Sequence, residues 1–543
     1  MESKSFENNT NIQNIESSLE LTSLNDNIAN EHLISMGYVP EMRRKMSTWS
    51  LLGAGFSITN SWLACAVFLA LSIYSGGPLM PIYGIIIGAF FGLCTGISLG
   101  ELASAYPTSS GQYYWTIVLA PKKYAPFLSY LCGSLTWAGS IFCNAATSML
   151  TAQMIVSVHA LLAGPDFEIK NWMIFITFQL CNVASFLFSC IGKLLPTYAT
   201  LALYISLISF AVTLVTVLSK SSGNFNSSKF IFVEFNNQTG WSSSAIAFIV
   251  GLINPAAAFG FLDSATHLAE ECIEPEVIIP KAIMFTVAVG FVTALSYTIG
   301  ICFCITDLDT ILSSNTGMPI LDIFYLALKN KGGAILLMVM LITSVFFAFI
   351  MVQSYASRIS WSFSRDNGLL GSRYWRQIHP QLGVPLNAGI MITLWTAACG
   401  CLYMASSAGF SSLISGAVLF MMLSYIVPII CMLIRGRNSF KHGPFWLNSV
   451  GYAANVLTIF WTIFCLVFFC FPFSKPVTKD NMNYISVILV GFTAWCVIYW
   501  IFRGRKVFST ADMHQTGFEE LDGEAIKVEA IVHEKTVRDN SSM

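Results

Sequence analysis

The chain has 543 residues, of which 55% are hydrophobic and only 10% are charged, and its net charge is −1. Soluble globular proteins carry about 25% charged residues, so this composition indicates a protein that crosses a membrane many times. A nearly neutral chain has no basic surface for nucleic acid. We find no metal-ligand spacing, phosphate-binding loop or catalytic pair of side chains, so the sequence predicts no metal, no cofactor and no enzymatic activity.

The two ends of the chain differ in composition from the apolar body between them. The first 45 residues are polar and carry no signal-peptide pattern. We expect three regions: a disordered cytoplasmic tail over 1–45, a twelve-helix transporter domain over 46–505, and a second disordered cytoplasmic tail over 506–543.

Apolar windows of about 20 residues, the length that spans a bilayer, predict twelve membrane helices. The fold class is therefore an all-α membrane protein with twelve transmembrane helices. The predicted spans cover residues 48–74, 79–102, 126–158, 172–192, 196–219, 243–270, 281–305, 333–362, 386–405, 410–434, 446–471 and 482–502.

Lysine and arginine residues near the spans are concentrated on the side of the membrane that the N-terminus occupies in this topology. Cytoplasmic loops carry an excess of these residues, so we expect both termini to be cytoplasmic. The loop over 220–242 then lies outside, and its two sequons, at Asn226 and Asn237, become candidate glycosylation sites.

The first span has small and polar residues in its first half, where a lipid-facing helix would be uniformly apolar. They are Gly53, Gly55, Ser57, Thr59, Asn60 and Ser61. The sixth span is interrupted at Asn254-Pro255 and again at Phe259-Gly260-Phe261.

Interrupted helices at membrane depth are tolerated where they are buried in protein or line a cavity. The first and sixth spans begin two five-helix halves, and paired interruptions of this kind are typical of a transporter site built on an inverted repeat. We therefore predict that both breaks form part of a substrate site. The alternative is that the glycines only permit close packing of helices.

Ionisable side chains are few in the apolar spans, and the candidates for function among them and at their ends are Glu101, Lys193, Asp263, His267 and Arg358. Charge within a bilayer is costly and marks functional sites. Our interpretation is a gate network in which carboxylates pair with Lys193, Lys281 or Arg358. Direct handling of substrate or protons, by Asp263 above all, is the alternative, and Glu101 is a further candidate for proton coupling.

Several motifs resemble the amino acid–polyamine–organocation superfamily. They are ELASAYPTSSGQYYW at 101–115, FLDSATHLAEECIEPEVIIPKAI at 261–283, and SRDNGLLGSRYW followed by VPLNA within 364–388. The entry GYVPEMRRKMSTWSLLGAGFSITNSW is similar to that of choline permease-like members of the fungal amino acid/choline transporter family. The resemblance covers roughly residues 36–508.

The resemblance implies a fold of the LeuT type, with a 5+5 inverted repeat and two further C-terminal helices. It implies a secondary transporter of the plasma membrane that imports choline or a related amino alcohol or quaternary amine by alternating access. Close branches carry γ-aminobutyric acid (GABA), other amino acids, polyamines or thiamine-like cations, and these remain alternatives. A nutrient receptor with little flux is an alternative of another class.

A quaternary ammonium donates no hydrogen bond, so a protein holds it against aromatic faces, which contribute about 0.5–2 kcal/mol each. Asn60, Ser57 and Asn144 are placed to bind a substrate hydroxyl, whereas Gly53 and Gly55 offer backbone that would receive the carboxylate of an amino acid. The aromatic candidates on the helices that the resemblance assigns to the site are Trp62, Trp137, Phe259, Phe261, Phe346 and Phe347, with Gly260 beside them.

The 15 cysteines are scattered along the chain, almost all of them within apolar spans. They form no C-x-x-C motif, and the C-x-C pairs at 302–304 and 399–401 lack partner ligands. We interpret them as small packing residues.

Overall fold

The fold is entirely helical wherever the chain has a named element. The computed structural model describes residues 29–510, except residues 32, 165, 306–315 and 480. Within those residues the backbone pairs in the β manner only at an isolated bridge between Met46 and Cys272.

Among the described residues, twelve helices are long and apolar enough to cross a membrane, which confirms the predicted number and order. They are α1 Thr48–Val67, α2 Leu79–Ala105, α3 Ala125–Ala163, α4 Asn171–Ser189, α5 Leu195–Lys220, α6 Ser244–Glu271, α7 Pro275–Cys304, α8 Lys331–Arg365, α9 Leu386–Ala405, α10 Ser407–Arg435, α11 Asn448–Phe468 and α12 Ile485–Val507.

Two predicted boundaries differ from the structure for local reasons. We expected the seventh span to begin at residue 281, but α7 begins at Pro275. Proline suits the first helical position because its missing N–H would have no partner there, and Pro280 then lies inside the helix. We expected the first span to reach residue 74, but α1 ends at Val67 and a separate helix, Leu69–Gly76, follows.

Corresponding helices of the two halves have similar lengths. The third helix of each half is the longest, with 39 residues in α3 and 35 in α8. The fourth is the shortest, with 19 residues in α4 and 20 in α9. An odd number of spans in each half reverses the second half relative to the first, as an inverted repeat requires.

The first helix of the repeat and the last helix of the chain differ in how much of their surface is buried. In the most apolar stretch of α1, 83% of residues are buried, whereas only 11% are buried in α12. A span that exposes nearly all of its apolar surface faces lipid, so α12 lies at the periphery while α1 lies inside the bundle.

The first residues of the transporter domain extend further toward the N-terminus than we predicted. Leu33, Met36 and Tyr38 are buried in the main core, although we expected disorder as far as residue 45. The backbone N–H groups of Lys45 and Met46 both donate to the carbonyl of Glu271, at 2.9 Å. The prediction is wrong for 33–45 because these apolar side chains cover the end of the bundle. Residues 1–28 of the predicted tail lie outside the described part.

The C-terminal boundary also lies later than predicted. Phe508 is buried, and its ring lies within 5.7 Å of the Tyr130 ring. The backbone N–H of Ser509 donates to the carbonyl of Asp366 at 3.2 Å. Packing therefore continues beyond residue 505, and the predicted tail over 511–543 lies outside the described residues.

One end of the bundle is closed by a layer that we call the N-terminal face. It consists of residues 33–46, the segment 106–124 between α2 and α3, the second part of α6, and the end of α8. The segment 106–124 contains a short, mostly buried helix, Gln112–Leu119, which the apolar-window analysis did not predict because it is too short to span a bilayer.

Candidate functional site

The breaks in α1 and α6 lie against each other. The first part of α1 ends at Thr59 and the second starts at Ser61, and the hydroxyl of Thr59 donates to the carbonyl of Gly260 at 3.3 Å. Asn60 and Phe261 adopt left-handed backbone conformations, with φ of 34° and 58°. For a residue with a side chain this conformation costs about 1–2 kcal/mol, so both breaks are built features of the fold.

Helix α6 is interrupted at Leu252 and again at Gly260 and Phe261. The second interruption lies where the sequence predicted it, whereas Asn254 and Pro255, the predicted first interruption, lie inside a short helical part. Its regular α-helical parts are Ser244–Gly251 and Ile253–Ala257. After the break at Gly260 and Phe261, the chain continues as a 3₁₀ helix, Leu262–Glu271. A 3₁₀ helix is tighter than an α-helix and has poorer hydrogen-bond geometry, which is common where a helix serves as a hinge.

The side-chain amide of Asn60 is only partly satisfied. Its oxygen accepts a hydrogen bond from the hydroxyl of Ser206 at 3.0 Å. Its nitrogen is buried and has no acceptor within hydrogen-bond distance among the described residues. An unpaired buried donor costs about 1–3 kcal/mol, so this group is available to bind a polar ligand at the α1 break.

A small cavity of about 20 Å³ lies beside the α6 break. No charged side chain is among its described lining residues. The rings of Phe259, Tyr425 and Trp461 contribute to its wall. The full lining is Gly88, Gly92, Thr95, Ala256, Phe259, Gly260, Val418, Met421, Met422, Tyr425, Trp461 and Thr462.

Two glycines of α2 allow the α6 break to approach closely. A Cβ atom at Gly88 would lie 2.8 Å from the carbonyl oxygen of Pro255, and one at Gly92 would lie 3.0 Å from the Cβ of Phe259. Such contacts are too short for any other residue, so these glycines set the position of the cavity wall.

The carboxylate of Asp263, three residues beyond Gly260, is completely buried. It accepts hydrogen bonds from Tyr425 OH at 2.5 Å, from Gln112 Nε2 at 2.6 Å and from Tyr355 OH at 3.0 Å. These donors come from α10, from the helix Gln112–Leu119 and from α8. One carboxylate therefore joins four separate parts of the chain directly beneath the cavity.

His267 lies one turn beyond Asp263, and the two side chains are in contact. Its Nε2 lies 3.0 Å from Asp263 Oδ2, and its Nδ1 lies 2.8 Å from the backbone carbonyl oxygen of Ser109. Only 1% of the His267 surface is exposed. The histidine therefore extends the Asp263 network into the segment between α2 and α3.

Three buried ion pairs lie around this network on the N-terminal face. Glu271 is paired with Arg358, as the sequence analysis allowed. The other two partners differ from the three cations that we proposed. Glu270 is bound by Arg365, with N–O distances of 3.0 and 3.1 Å, and Glu101 by Arg437, at 2.9 and 3.0 Å.

Lys193 takes no part in this network. Its side chain is exposed after the end of α4. A fully solvated lysine contributes little to a closed gate. The prediction that it belongs to the gate therefore has no support from its position.

A second buried carboxylate, Asp366, lies at the outer layer of the N-terminal face. Its Oδ2 accepts hydrogen bonds from Tyr38 OH at 2.9 Å and from Tyr113 OH at 2.8 Å. Burial raises the pKa of Asp366 to about 6, although the guanidinium of Arg365 and the two hydroxyls act in the opposite direction. Asp366 fastens the segment 33–46 to the end of α8.

We expect this closure to tighten at acidic pH. Because the pKa of Asp366 is raised, its contribution to the closed arrangement is complete below its ordinary value of 3.8 and is lost as the pH rises through about 6. The difference amounts to at most about 3 kcal/mol. Amide hydrogen exchange of residues 33–46, corrected for the intrinsic rate, should be slower at pH 5 than at pH 7.5. Asp366→Asn should abolish the difference, and a variant that keeps the full difference would contradict this assignment.

The aromatic candidates lie in different parts of the structure. Phe259 lines the cavity, whereas Phe261 lies next to the break within the main core. Trp62 is buried against Tyr297 at 5.0 Å, and its Nε1 donates to Ser206 at 2.8 Å, so its ring packs between α5 and α7.

The remaining aromatic candidates contact helices at the edge of the bundle. Trp137 meets Trp395 of α9 edge to face at 6.0 Å, and Phe346 meets Phe188 of α4 at 5.6 Å. The ring of Phe347 lies 6.2 Å from that of Tyr198. Of the six aromatic candidates, Phe259 is therefore the one that lines this cavity.

The polar candidates lie at different distances from the break. The Nδ2 of Asn144 donates to Gln353 at 2.7 Å and to Thr396 at 2.9 Å, so it connects α3 to α8 and α9. The hydroxyl of Ser57 donates to the carbonyl of Ala54 within its own helix. Among the three residues that we proposed for a substrate hydroxyl, Asn60 alone lies at a break.

The glycines of α1 precede the break and do not form it. The helix runs without interruption through Gly53 and Gly55 as far as Thr59. A Cβ at Gly53 would lie 2.3 Å from the carbonyl oxygen of Ala199, and one at Gly55 would lie 3.1 Å from Thr286 Oγ1. Both glycines permit close helix packing, the alternative that we considered.

Sequence reasoning missed several residues of the site. Tyr355, Tyr425, Trp461 and Met421 lie within unbroken apolar spans, where nothing distinguishes them from packing residues. The others carried a signal, because they fall in motifs that we had already recognised. These are Gln112 and Tyr113 after the second span, and Arg365 and Asp366 after the eighth.

The sequence profile described as "Amino acid permease" matches residues 46–493 of the chain. A Saccharomyces cerevisiae protein named "Choline transporter" is 50% identical over 467 residues, which cover 86% of this chain and 83% of the yeast protein. A second S. cerevisiae protein, the "7-keto 8-aminopelargonic acid transporter", is 34% identical and shares 83% of this chain and 90% of its own. The "Swainsonine transporter swnT" of Arthroderma benhamiae is 31% identical, with coverages of 87% and 93%.

Proposed function

Because the chain belongs to the amino acid permease family, we propose that it imports choline or a related amino alcohol or quaternary amine. The substrate would cross the plasma membrane by alternating access, in a chain that acts as a secondary transporter and not as an enzyme. The cavity beside the paired breaks of α1 and α6 would receive the substrate.

One observation carries the proposal: the cavity at the α6 break presents rings and thioethers but no charged side chain among its described lining residues. Such a wall suits a cation that cannot donate hydrogen bonds, because aromatic faces attract it without requiring a donor–acceptor match. The 50% identity to a protein named as a choline transporter points to the same chemical class.

The amide nitrogen of Asn60, which has no acceptor among the described residues, can recognise the polar end of such a substrate. Choline and amino alcohols carry one hydroxyl group, which can accept a hydrogen bond from Asn60 Nδ2 at the α1 break. A site that combines ring faces with one amide donor would therefore bind both ends of such a molecule. Gly260, whose carbonyl accepts from Thr59, lies between these two features.

The distribution of charge supports one orientation of the chain in the membrane. Lysine and arginine concentrate on the segments that lie on the same side as the N-terminal face. By the positive-inside rule we place this face, and both termini, in the cytoplasm. The Asp263 network and the Glu270 and Glu271 ion pairs would then form a closed inner gate, and the substrate would leave when it opens.

A panel of uptake measurements tests the proposal. The chain is expressed in cells that lack their own choline uptake, and accumulation of radiolabelled choline, ethanolamine, GABA, lysine and thiamine is compared with a vector control. We expect saturable uptake of choline or ethanolamine. No saturable choline or ethanolamine uptake, despite delivery to the cell surface, would refute the assignment.

The same panel addresses the alternatives. Inhibition of the observed uptake by excess GABA or lysine, with choline inert, would favour an amino acid permease of the same fold. In that case the peptide groups at the two breaks would receive the substrate carboxylate. Binding of choline without measurable flux would favour a receptor.

The membrane potential gives a further discriminator. A single positive charge gains about 2.3 kcal/mol for each 100 mV of inside-negative potential. At about 1.4 kcal/mol for each tenfold ratio, this corresponds to roughly forty-fold accumulation without any coupling ion. A zwitterion gains nothing from the potential alone. Collapse of the potential should therefore lower choline accumulation more than that of a zwitterion.

Phe259→Leu should selectively weaken binding of a quaternary amine. Leucine keeps an apolar side chain beside Gly88 and Gly92 but removes the ring face, which contributes about 0.5–2 kcal/mol. We expect the KM for choline to rise about two- to thirty-fold. The KM for ethanolamine, whose ammonium can donate hydrogen bonds, should change less.

The matched control for this experiment is Phe460→Leu, because Phe460 is exposed on the outer surface of α11. Its kinetic constants should equal those of the unmodified protein. If Phe259→Leu raised both KM values by the same factor, the ring would contribute packing and not recognition of the cation.

A further inference from the structure

The hydrogen bonds of His267 determine where its protons lie. Its Nδ1 faces the carbonyl oxygen of Ser109, which only accepts hydrogen bonds, so Nδ1 must carry a proton. In a neutral imidazole Nε2 would then present a lone pair. That nitrogen instead lies 3.0 Å from a carboxylate oxygen of Asp263, which also presents lone pairs. The contact is attractive only if one additional proton lies between the two groups.

The other partners of Asp263 indicate which group holds this proton. The same Oδ2 that faces His267 also accepts hydrogen bonds from Gln112 and Tyr355, and Tyr425 donates to Oδ1. These three donors, none of them His267, stabilise the ionised form of the carboxyl group. The additional proton therefore belongs to His267 Nε2, and the pair is an imidazolium with a carboxylate.

We propose that His267 and Asp263 form the proton-binding site of the transporter, loaded while the N-terminal face is closed and emptied when it opens. The proposal rests on the proposed transport function, and it adds a second transported species at a defined place. One proton would enter from outside with each substrate and leave His267 Nε2 for the cytoplasm, while Asp263 remains a carboxylate. Each cycle with choline would then move two positive charges inward.

The placement of the pair links the proton to the gate. Its partners come from α8, α10 and the segment between α2 and α3, whereas the pair itself is on the 3₁₀ part of α6, directly after the break. Any opening that moves this part of α6 away removes donors from Asp263 and separates His267 from Ser109. Both changes destabilise the ion pair, so opening favours release of the proton.

The other titratable groups around the pair do not compete for its proton. The described α1 carries no carboxylate, lysine, arginine or histidine, and the carboxylate of α2 is bound by Arg437. Glu270 and Glu271 are each paired with an arginine. The titratable groups that face the pair are Tyr355 of α8, Tyr425 of α10, and Cys132 and Cys143 of α3. The start of α7 adds Glu276 and the exposed Lys281.

Proton movement tests the proposal directly. The full chain is reconstituted into vesicles that contain a pH-sensitive dye, and choline is added outside. Choline should acidify the interior, and a one-unit inward pH gradient should raise the limiting accumulation ratio up to about tenfold for one proton per substrate. In His267→Gln, whose amide can still donate to Asp263 but cannot titrate, choline exchange should persist without acidification.

His159→Gln is the matched control, because this histidine is exposed near the end of α3. It should acidify the vesicles as the unmodified protein does. Acidification of normal size in His267→Gln would overturn the proposal, as would choline uptake by the unmodified protein without any proton movement.

A measurement on the unmodified chain tests the proton site independently of which substrate the protein transports. Amide hydrogen exchange of Leu262–Glu271, corrected for the intrinsic rate, should become faster when the pH is raised and the pair loses its proton. Asp263→Asn should remove this dependence. A pH-independent segment in the unmodified protein would overturn the proton site for any substrate. A pH-dependent segment without choline exchange would retain the proton site and refute choline transport.

Discussion

Gly260→Leu is expected to reduce uptake to the level of the vector control while leaving delivery to the cell surface unchanged. Gly260 lines the cavity at the α6 break, and its carbonyl accepts a hydrogen bond from Thr59. A Cβ at Gly260 would lie 3.2 Å from the carbonyl oxygen of Ala257, so the backbone accepts a side chain after a shift of a few tenths of an ångström. The remaining leucine carbons would enter the cavity and occupy the space in which the substrate binds.

The matched control for Gly260→Leu is Gly491→Leu. Gly491 lies on the peripheral helix α12, and nothing lies within 4 Å of the Cβ that a substitution would add. Surface biotinylation and uptake are measured for both variants. Uptake of normal size by a delivered Gly260→Leu protein would mean that the substrate passes elsewhere.

Arg358→Met should impair the transporter severely, because it leaves the carboxylate of Glu271 buried without its cation. The side chains of this pair are only 2% and 7% exposed. Removal of one partner from a buried ion pair costs about 3–5 kcal/mol, which corresponds to a factor of roughly 100 to 4,000 in the equilibrium between the closed arrangement and its alternatives. We expect loss of uptake and a lower melting temperature in detergent.

The double variant Arg358→Met/Glu271→Gln separates the charge from the shape of this pair. A neutral glutamine removes the unpaired buried charge, so the double variant should regain part of the thermal stability that Arg358→Met loses. If the double variant were as unstable as the sum of its two single variants, the two side chains would not interact in the folded protein.

The order and extent of the membrane helices could be predicted because apolar length is a property of single segments. The breaks in α1 and α6 could be predicted for the same reason, since asparagine, proline and glycine interrupt a hydrophobic run locally. The boundaries that failed depend on tertiary contacts. Residues 33–45 are polar enough to suggest a tail, yet Leu33, Met36 and Tyr38 find a buried surface that their own sequence does not reveal.

The site was less predictable than the fold, because its members come from different helices and are ordinary residues in their own segments. Asp263 and His267 were recognised because ionisable groups in lipid are rare. Tyr355 and Tyr425 were not, since a tyrosine in an apolar span is usually a packing residue. The direction in which an aromatic ring points depends on helix rotation, and for that reason Trp62 and Phe346 were wrongly grouped with Phe259.

The attachment of both chain ends to one aspartate has a mechanical consequence. Tyr38 reaches the side chain of Asp366 from the N-terminal side, and Ser509 reaches its backbone carbonyl from the C-terminal side. Displacement of Asp366 would therefore break the contacts of both Tyr38 and Ser509 at the same time. A fluorophore attached near Tyr38 or near Ser509 would register the same event, and a protein bound to one of these two segments would slow the release of the other.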